Sequence, residues 1–284
     1  MSSLPEVAVD RSQADDDAIV CLLVVNRIPR LPTAAVMSIL HRSPARIVVG
    51  YVEPKDIENV PHHERVEFVD LSAHVAEVRR ADISGEYREY GSEASSTSLA
   101  LKWRLLEHCL TQNNPEVVIY CDVDIVWLED VAHDITAAFR TTPATHLLLQ
   151  SQQVNAAVQL PCMGFMALRG SDRALAIVRE CSRRNDQALL VAAPGEFVND
   201  EDIMARYLVD GAPGEIQNLP QTAYPVGSLA SLYRRDPLVP DLEPQRPLLF
   251  HANFVIGVDA KIKLLRRVLQ ELDRLDPYLG LADD

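Results

Sequence analysis

The sequence lacks an excess of basic charge. It contains 27 lysines and arginines against 41 aspartates and glutamates, which gives a formal net charge of −14. Proteins that grip nucleic acid normally carry a basic stripe whose counterion release drives binding, and no run of this chain supplies one. We therefore expect no nucleic-acid partner, although a local basic pocket is compatible with the overall charge.

Long apolar runs are also missing. The longest, such as residues 19–25, are far shorter than the ~20 residues that cross a bilayer, so no transmembrane segment is predicted. Residues 1–17 carry four aspartates and lack the basic-then-apolar order of a secretory leader. We expect a solvated, disordered segment here and a cytoplasmic protein.

Cysteines are few, and none of them form a CxxC pair. Five is an odd number, which disfavours a disulfide framework, and the spacing disfavours a zinc site. Free, buried thiols in a reducing compartment are the expected state. The five are Cys21, Cys109, Cys121, Cys162 and Cys181.

The chain does contain apolar runs rich in valine and isoleucine, alternating with segments of helical period. This pattern is typical of an α/β protein with buried, mostly parallel strands. We predict one Rossmann-like domain over residues 18–284, with a mostly parallel central sheet flanked by helices. The predicted strands are residues 19–26, 46–53, 66–71, 117–122, 146–150 and 164–168. The predicted helices are residues 33–40, 95–110, 172–183, 201–209 and 261–275. Residues 225–247, with five prolines, are predicted to form a loop over the sheet.

The sharpest signal is VVIYCDVDIVWLEDV at residues 117–131, where a buried strand ends in Asp122 and Asp124. Ligands of open α/β sheets bind at the carboxyl ends of the strands, and carboxylate oxygens suit Mg²⁺ or Mn²⁺. Two acids separated by one residue converge on a cation only if the chain leaves regular strand alternation there, or if one acts through water or sugar. The alternative is a loop that happens to carry two acids.

A second signal is LLFHANFVIGVDAKIK at residues 248–263. His251 follows an apolar strand and precedes Gly257, Lys261 and Lys263. The segment therefore offers one metal ligand and two cations for phosphate groups. A satisfied core histidine and solvated helix lysines are the alternative.

A third signal is FVNDEDIMARYL at residues 197–208. Asn199 or Asp200 suits the N-terminus of a helix, because both side chains accept free N–H groups of the first turn. Three successive acids, Asp200, Glu201 and Asp202, exceed what a cap needs. At least one of them is expected to face a reaction centre.

These motifs, in this order, resemble the metal-dependent nucleotide-sugar glycosyltransferases of the GT-A fold. The likeness is strongest to the nucleotide-diphospho-sugar transferase family that includes plant cell-wall xylosyl- and arabinosyltransferases, with glycogenin-like enzymes as cousins. It rests on VVNR (24–27), Lys102, YCDVDIVWLED (120–130), LPCMGFMALRGS (160–171), NDEDIMARYL (199–208) and HANFVIGVDAK (251–261).

The resemblance implies transfer of a sugar from a nucleoside diphosphate donor, expected to be a UDP-sugar, to an acceptor hydroxyl with retention. The sequence does not identify the acceptor, which is a glycan, a protein or a small molecule. The implied ligands of Mn²⁺ (or Mg²⁺) are Asp122, Asp124 and His251, and the implied catalytic pair is Asp200 and Glu201. Donor contacts are implied for Val25, Asn26, Arg27, Lys102, Asp122, Val123, Gly164, Gly257 and Lys261.

The sequence departs from the family at two places. Asp200-Glu201 stands where relatives carry Asp-Gln, and Cys162-Met163-Gly164 stands where relatives carry Asn-Ser-Gly. These departures leave open a different donor sugar, an alignment shifted by one or two residues, or another catalytic acid.

Two other interpretations fit the strand that ends in D-x-D. Haloacid-dehalogenase-like phosphohydrolases use the first aspartate, here Asp122, as a nucleophile that becomes phosphorylated. Their motif usually opens the fold, whereas about 100 residues precede it here. A non-catalytic scaffold that binds a nucleotide sugar is the other alternative.

Overall fold

The computed structural model describes residues 18–26, 28–78, 93–112, 114–151, 161–193, 195–210, 214–226, 247–253, 255–271 and 281. Arg27, the N-terminal segment 1–17 and most of the proline-rich segment 225–247 lie outside the described residues, so the predictions made for them are not addressed.

A seven-stranded sheet forms the centre of the protein. Its spatial order is β3-β2-β1-β4-β7-β6-β8, and every neighbouring pair is parallel except the two that involve β7. Six strands therefore run one way and β7 runs the other way. These strands are β1 (Ala18–Val24), β2 (Arg46–Tyr51), β3 (Val66–Asp70), β4 (Val117–Cys121), β6 (Leu147–Ser151), β7 (Pro161–Arg169) and β8 (Ile216–Asn218).

Helices cover the sheet, and their apolar residues pack with the strands in two large buried clusters. The predicted α/β class with a mostly parallel, helix-flanked sheet is confirmed. The helices are α1 (Leu31–Arg42), α2 (Ser72–Val78), α3 (Glu93–Thr111), α4 (Val131–Thr141), α5 (Asp172–Val191), α6 (Asp200–Asp210) and α7 (Val258–Glu271), with a short 3₁₀ turn at Pro54–Ile57.

A second, two-stranded sheet stands beside the end of β4. Here β5 (Ile125–Trp127) pairs antiparallel with β9 (Leu249–His251). Phe250 of β9 packs with Val126 of β5 and Leu265 of α7 in a separate buried cluster. This cluster fixes the last part of the chain, including His251, against the D-x-D segment.

A bulge interrupts the pairing of β6 with β7. Leu149 pairs with Met166, but the next residue, Gln150, pairs with Cys162, so residues 163–165 of β7 have no partner in β6. Bulges bend a strand and re-aim its side chains, often beside a functional site. This one lies next to the D-x-D segment, because Gly164 O accepts a hydrogen bond from Asp122 N at 2.7 Å.

The predicted strand and helix positions agree with the observed elements, with shifted ends. The observed α5 continues eight residues beyond the predicted end at 183, and α7 begins at Val258 rather than 261. The short strands β5 and β8 and the helices α2 and α4 were not predicted. Among the described residues, no helix combines the length and hydrophobicity that a membrane span requires.

Candidate active site

The D-x-D segment forms a turn directly after β4. Asp122 donates its N–H to Gly164, and Ile125 N donates to Asp122 O at 3.2 Å. This turn breaks the alternation that would send the side chains of a regular strand to set faces. Asp122 and Asp124 can therefore approach the same point, as the sequence argument required.

The small sheet brings His251 to the two aspartates. Ile125 lies opposite His251 in the β5–β9 register, and Ala252 N donates to Asp124 O at 3.0 Å. The Nε2 atom of His251 lies 3.3 Å from Asp124 Oδ1. One ligand atom each from Asp122, Asp124 and His251 lie within 4.8 Å of one another.

Gly164 leaves the space in which this cluster forms. A Cβ at this position would lie 2.3 Å from His251 Cε1 and 2.7 Å from Asp122 Oδ2. Both distances are shorter than side-chain carbons tolerate. The cluster therefore needs glycine at position 164, for reasons of space rather than backbone conformation.

Lys102 of α3 is buried and already partnered. Its Nζ lies 2.6 Å from Asp200 Oδ2, donates to Met163 O at 2.9 Å, and sits 4.7 Å from the centre of the Tyr120 ring. Burial disfavours the ammonium form, but Asp200 and Asp122 outweigh it and hold the pKa of Lys102 above its usual value. The α3 helix is thereby tied to the first residue of α6 and to the bulge.

The two aspartates of the motif differ in their electrostatics. Burial raises the pKa of the Asp122 carboxyl above its usual value, although Lys102 opposes the shift and Tyr120 donates a hydrogen bond of 2.9 Å. Burial also acts on Asp124, but His251 and Lys261, whose Nζ contacts Asp124 Oδ2, hold its pKa below the usual value. Asp122 is therefore the carboxylate whose ionised form the surrounding positive charge stabilises less.

A cavity of about 380 Å³ opens over the cluster. Its wall includes the three clustered side chains, both lysines and the first two residues of α6, together with apolar residues at the mouth. The wall thus carries four carboxylates against two ammonium groups and the imidazole of His251, so negative groups are in excess. The lining residues are Leu99, Lys102, Asp122, Asp124, Cys162, Met163, Gly164, Asp200, Glu201, His251, Asn253, Val255, Ile256 and Lys261.

The donor set fits a hard divalent cation. Two carboxylates and one imidazole nitrogen converge, which suits Mn²⁺ or Mg²⁺. A divalent cation would also supply the charge that the cavity wall and Asp122 lack. In the metal-free arrangement burial disfavours the imidazolium, but Asp124 outweighs it and raises the pKa of His251 to about 10.

A smaller cavity of about 170 Å³ adjoins the first and shares Leu99, both lysines and both aspartates with it. Its other walls include Val25 and Val123, two of the residues predicted to contact the donor. Asn26 is buried with a φ of 63°, and its Oδ1 has no hydrogen-bond partner among the described residues. Gly257, with a φ of 92°, precedes α7 and is not a lining residue of either cavity.

The structure thus brings most of the predicted site residues together at one edge of the sheet. Asp122, Asp124, His251 and Lys261 meet directly, while Asp200 and Glu201 form another part of the same cavity wall. Their roles toward substrate and metal stay predictions.

Sequence reasoning missed Gln150 and Cys162. Gln150 Oε1 lies 2.9 Å from His251 Nδ1, and Cys162 Sγ lies 3.6 Å from the same nitrogen. A glutamine at the end of the apolar run LLLQ was the available signal for Gln150. Gln150 lies beside the histidine only because of the bulge, and no local sequence pattern predicts that bulge.

The model of the nucleotide-diphospho-sugar transferase family matches residues 61–265. No curated protein sequence matches the chain. The chain belongs to the nucleotide-diphospho-sugar transferase family, as the sequence resemblance predicted, and it is a glycosyltransferase. The phosphohydrolase with Asp122 as nucleophile and the non-catalytic scaffold are therefore set aside.

Solved structures share the fold. Mouse xyloside xylosyltransferase 1 superimposes with a TM-score of 0.54 at 11% identity, over 85% of this chain and 98% of that one. The bifunctional glycosyltransferase WbbM gives 0.55 at 13% identity, over 92% of this chain and 52% of its own. The glycosyltransferase GlyE of Streptococcus pneumoniae gives 0.54 at 13% identity, over 94% of this chain and 63% of its own. At these identities the likeness concerns the fold.

Proposed function

We propose that this glycosyltransferase moves a sugar from a UDP-linked donor to an acceptor hydroxyl with retention of configuration, and that it requires Mn²⁺ or Mg²⁺. The observation that carries the proposal is the convergence of Asp122, Asp124 and His251 at the carboxyl end of β4, in a member of this family. In open α/β sheets, this edge is where ligands bind.

Asp122, Asp124 and His251 would hold the cation. When bound, it would supply positive charge for the diphosphate that leaves the sugar. Lys261 is the cavity lysine nearest this cluster, since its ammonium contacts Asp124, and it would neutralise the donor's phosphates. Val25 and Val123, in the smaller cavity, would contact the nucleoside.

Asp200 and Glu201 have different tasks in this proposal. Asp200 Oδ2 lies 2.6 Å from Lys102 Nζ, and this ion pair fixes the position of the cavity wall. Glu201 lines the same cavity, with its backbone N–H capped by Asn199 Oδ1 at 3.1 Å. Its carboxylate would face the anomeric carbon and stabilise the positive charge that develops there.

The transfer breaks the bond between the anomeric carbon and the diphosphate oxygen, which leaves with the electron pair. The acceptor hydroxyl oxygen bonds to the same face of the sugar. Its proton passes to the departing phosphate oxygen on that face. Retention follows because departure and attack share one face.

Donor hydrolysis tests the proposal. Purified protein is incubated with UDP-, GDP- and dTDP-sugars, including a xylose donor because the mouse structural neighbour is named for xylosyl transfer. Release of nucleoside diphosphate is measured with Mn²⁺ and after chelation. Asp124→Ala removes a proposed ligand, and Asp259→Ala, an exposed carboxylate at the start of α7, is the matched control.

We expect release from UDP-sugars that needs the metal and is lost only in Asp124→Ala. Release that persists in the chelated protein would contradict metal dependence, and release from another nucleotide alone would replace the UDP assignment. Once an acceptor is found, the anomeric coupling constant of the product in proton NMR decides between retention and inversion.

A further inference from the structure

Gln150 links three separate parts of the chain behind the proposed metal site. It lies at the bulge of β6, it is fully buried, and its side chain lies between His251 and residues 224–225. Val226 forms a parallel bridge with His251, which holds residues 224–226 alongside β9.

The surroundings of Gln150 fix which end of its amide faces the histidine. Its Nε2 lies 3.1 Å from Tyr224 O and 3.1 Å from Pro225 O. Backbone carbonyl oxygens only accept hydrogen bonds, so the amide end between them must be the NH₂ group. The other end, Oε1, then points to His251 Nδ1 at 2.9 Å.

An amide oxygen facing Nδ1 determines which imidazole nitrogen carries a hydrogen. Oε1 only accepts, so Nδ1 must carry a hydrogen and donate it. Metal binding takes the neutral ring, and in that ring the lone pair is then on Nε2, the atom that lies 3.3 Å from Asp124 Oδ1. A metal bound at the aspartates needs this lone pair.

Cys162 is the competing partner for Nδ1. Its Sγ is 3.6 Å from that nitrogen, and it also lies 3.5 Å from Asn253 Nδ2. Sulfur is a weak acceptor, and the amide oxygen is closer by 0.7 Å. Gln150 is therefore the dominant partner.

We propose that Gln150 is a positioning residue that sets the tautomer and orientation of His251, so that Nε2 is available to the metal. The inference rests on the proposed metal site. Second partners of metal-bound histidines typically change metal affinity by roughly 10–100-fold.

The first experiment follows the Nδ1–H proton in protein labelled with ¹⁵N-histidine. A buried, hydrogen-bonded Nδ1–H gives a downfield ¹H–¹⁵N cross-peak, which His251→Asn assigns by its loss. We expect the peak in metal-free and Mg²⁺-loaded wild-type protein, and in Cys162→Ala. We expect its loss in Gln150→Met, which has a similar volume but no oxygen acceptor.

The second experiment measures Mn²⁺ affinity by calorimetry. We expect Gln150→Met to weaken binding about 10–100-fold. The control is Gln221→Met. Gln221 also donates to a backbone carbonyl, that of Ser151, which follows Gln150 in β6, at 3.3 Å. This variant should match wild type.

Three results would overturn the proposal: no cross-peak in wild type, a peak that survives in Gln150→Met, or Mn²⁺ affinity in Gln150→Met within twofold of wild type. If wild type binds no Mn²⁺, the metal site fails and the proposal fails with it, whereas the cross-peak separately shows whether Gln150 accepts the Nδ1 proton. If Gln150→Met does not fold, Gln150→Leu, which also lacks the acceptor, is measured in the same two experiments.

Discussion

Gly164 has the tightest steric constraint in the site. Alanine there would force a carbon to within 2.3 Å of His251 and 2.7 Å of Asp122, so the side chains of two proposed ligands must move. We predict that Gly164→Ala lowers Mn²⁺ affinity about 100-fold and abolishes transfer while the protein stays folded. Calorimetric titration and a thermal unfolding curve check this.

Gly50→Ala is the matched control. The atoms nearest its Cβ would be the ends of the Leu71 and Leu105 side chains, at 2.9 and 3.1 Å, in the core. That variant should lose some stability and keep its metal affinity. Wild-type Mn²⁺ binding by Gly164→Ala would show that the cluster is not the metal site.

Lys102 and Asp200 form a buried ion pair whose members depend on each other. Both side chains are 2% exposed, and the charged atoms are 2.6 Å apart. Removing one partner leaves a buried charge unpaired, which costs about 3–5 kcal/mol. We predict that Lys102→Met or Asp200→Leu alone loses about this much unfolding free energy, and that the double variant recovers a large part of it without recovering activity.

Urea unfolding of the four proteins measures this coupling as a double-mutant cycle. If the two losses simply add, the pair has no special interaction. We expect all three variants to lose activity, and the double variant to recover stability. That combination would show that the ion pair is needed for activity in the cavity wall as well as for folding.

At the scale of elements, most long periodic segments could be predicted, whereas the helix α4 and the short strands β5 and β8 were not. The buried strand that delivers Asp122, and the helices that became α3 and α6, follow from local pattern. The three-residue strands β5 and β9 form because distant segments pair, with Ile125 opposite His251. The pair of Lys102 with Asp200 spans 98 residues, and the bulge that places Gln150 depends on β7. No periodicity encodes such contacts.

The small β5–β9 sheet should therefore govern the metal site through its packing. Phe250 of β9 is fully buried, pairs with Val126 in the β5–β9 register, and is adjacent to His251. We predict that Phe250→Ala lowers the unfolding free energy by about 3–5 kcal/mol and also weakens Mn²⁺ binding. Chemical unfolding and calorimetry measure the two effects.

Phe139→Ala is the control that distinguishes a loss of overall stability from a displacement of β9. Phe139 is 1% exposed but belongs to α4, and it is not part of the apolar cluster that contains Phe250. It should lose a similar unfolding free energy and keep the metal affinity at a temperature where the protein is folded. Equal weakening of metal binding in both variants would mean that general destabilisation, rather than β9, is the cause.

At the scale of the whole molecule, stability should depend on pH through His146. Burial and the nearby Arg169 lower the pKa of this histidine, although Glu215 opposes them, and Nδ1 pairs with Ser171 Oγ at 3.0 Å. The unfolded chain therefore binds a proton at this histidine more readily, so the contribution of His146 to stability falls as pH drops through about 6.5. We predict that the unfolding free energy of His146→Gln, measured relative to wild type, rises between about pH 7 and pH 5.5. Parallel urea titrations that give equal slopes would contradict this.

The charge of the whole molecule implies that metal and donor bind together. The chain carries a net charge of −14, and the cavity has four carboxylates against two lysines and one histidine, so a diphosphate meets repulsion unless a divalent cation is present. We predict that Mn²⁺ raises UDP affinity about 5–150-fold, and that UDP raises Mn²⁺ affinity by the same factor, because coupling between two sites is reciprocal. Calorimetric titration of each ligand with and without the other measures both factors.

Uridine, which lacks the phosphates, is the control and should bind equally with and without Mn²⁺. Equal UDP affinity in the metal-free protein, or the same coupling for uridine, would show that the cation does not act on the diphosphate, and the proposed site would then have to be redrawn.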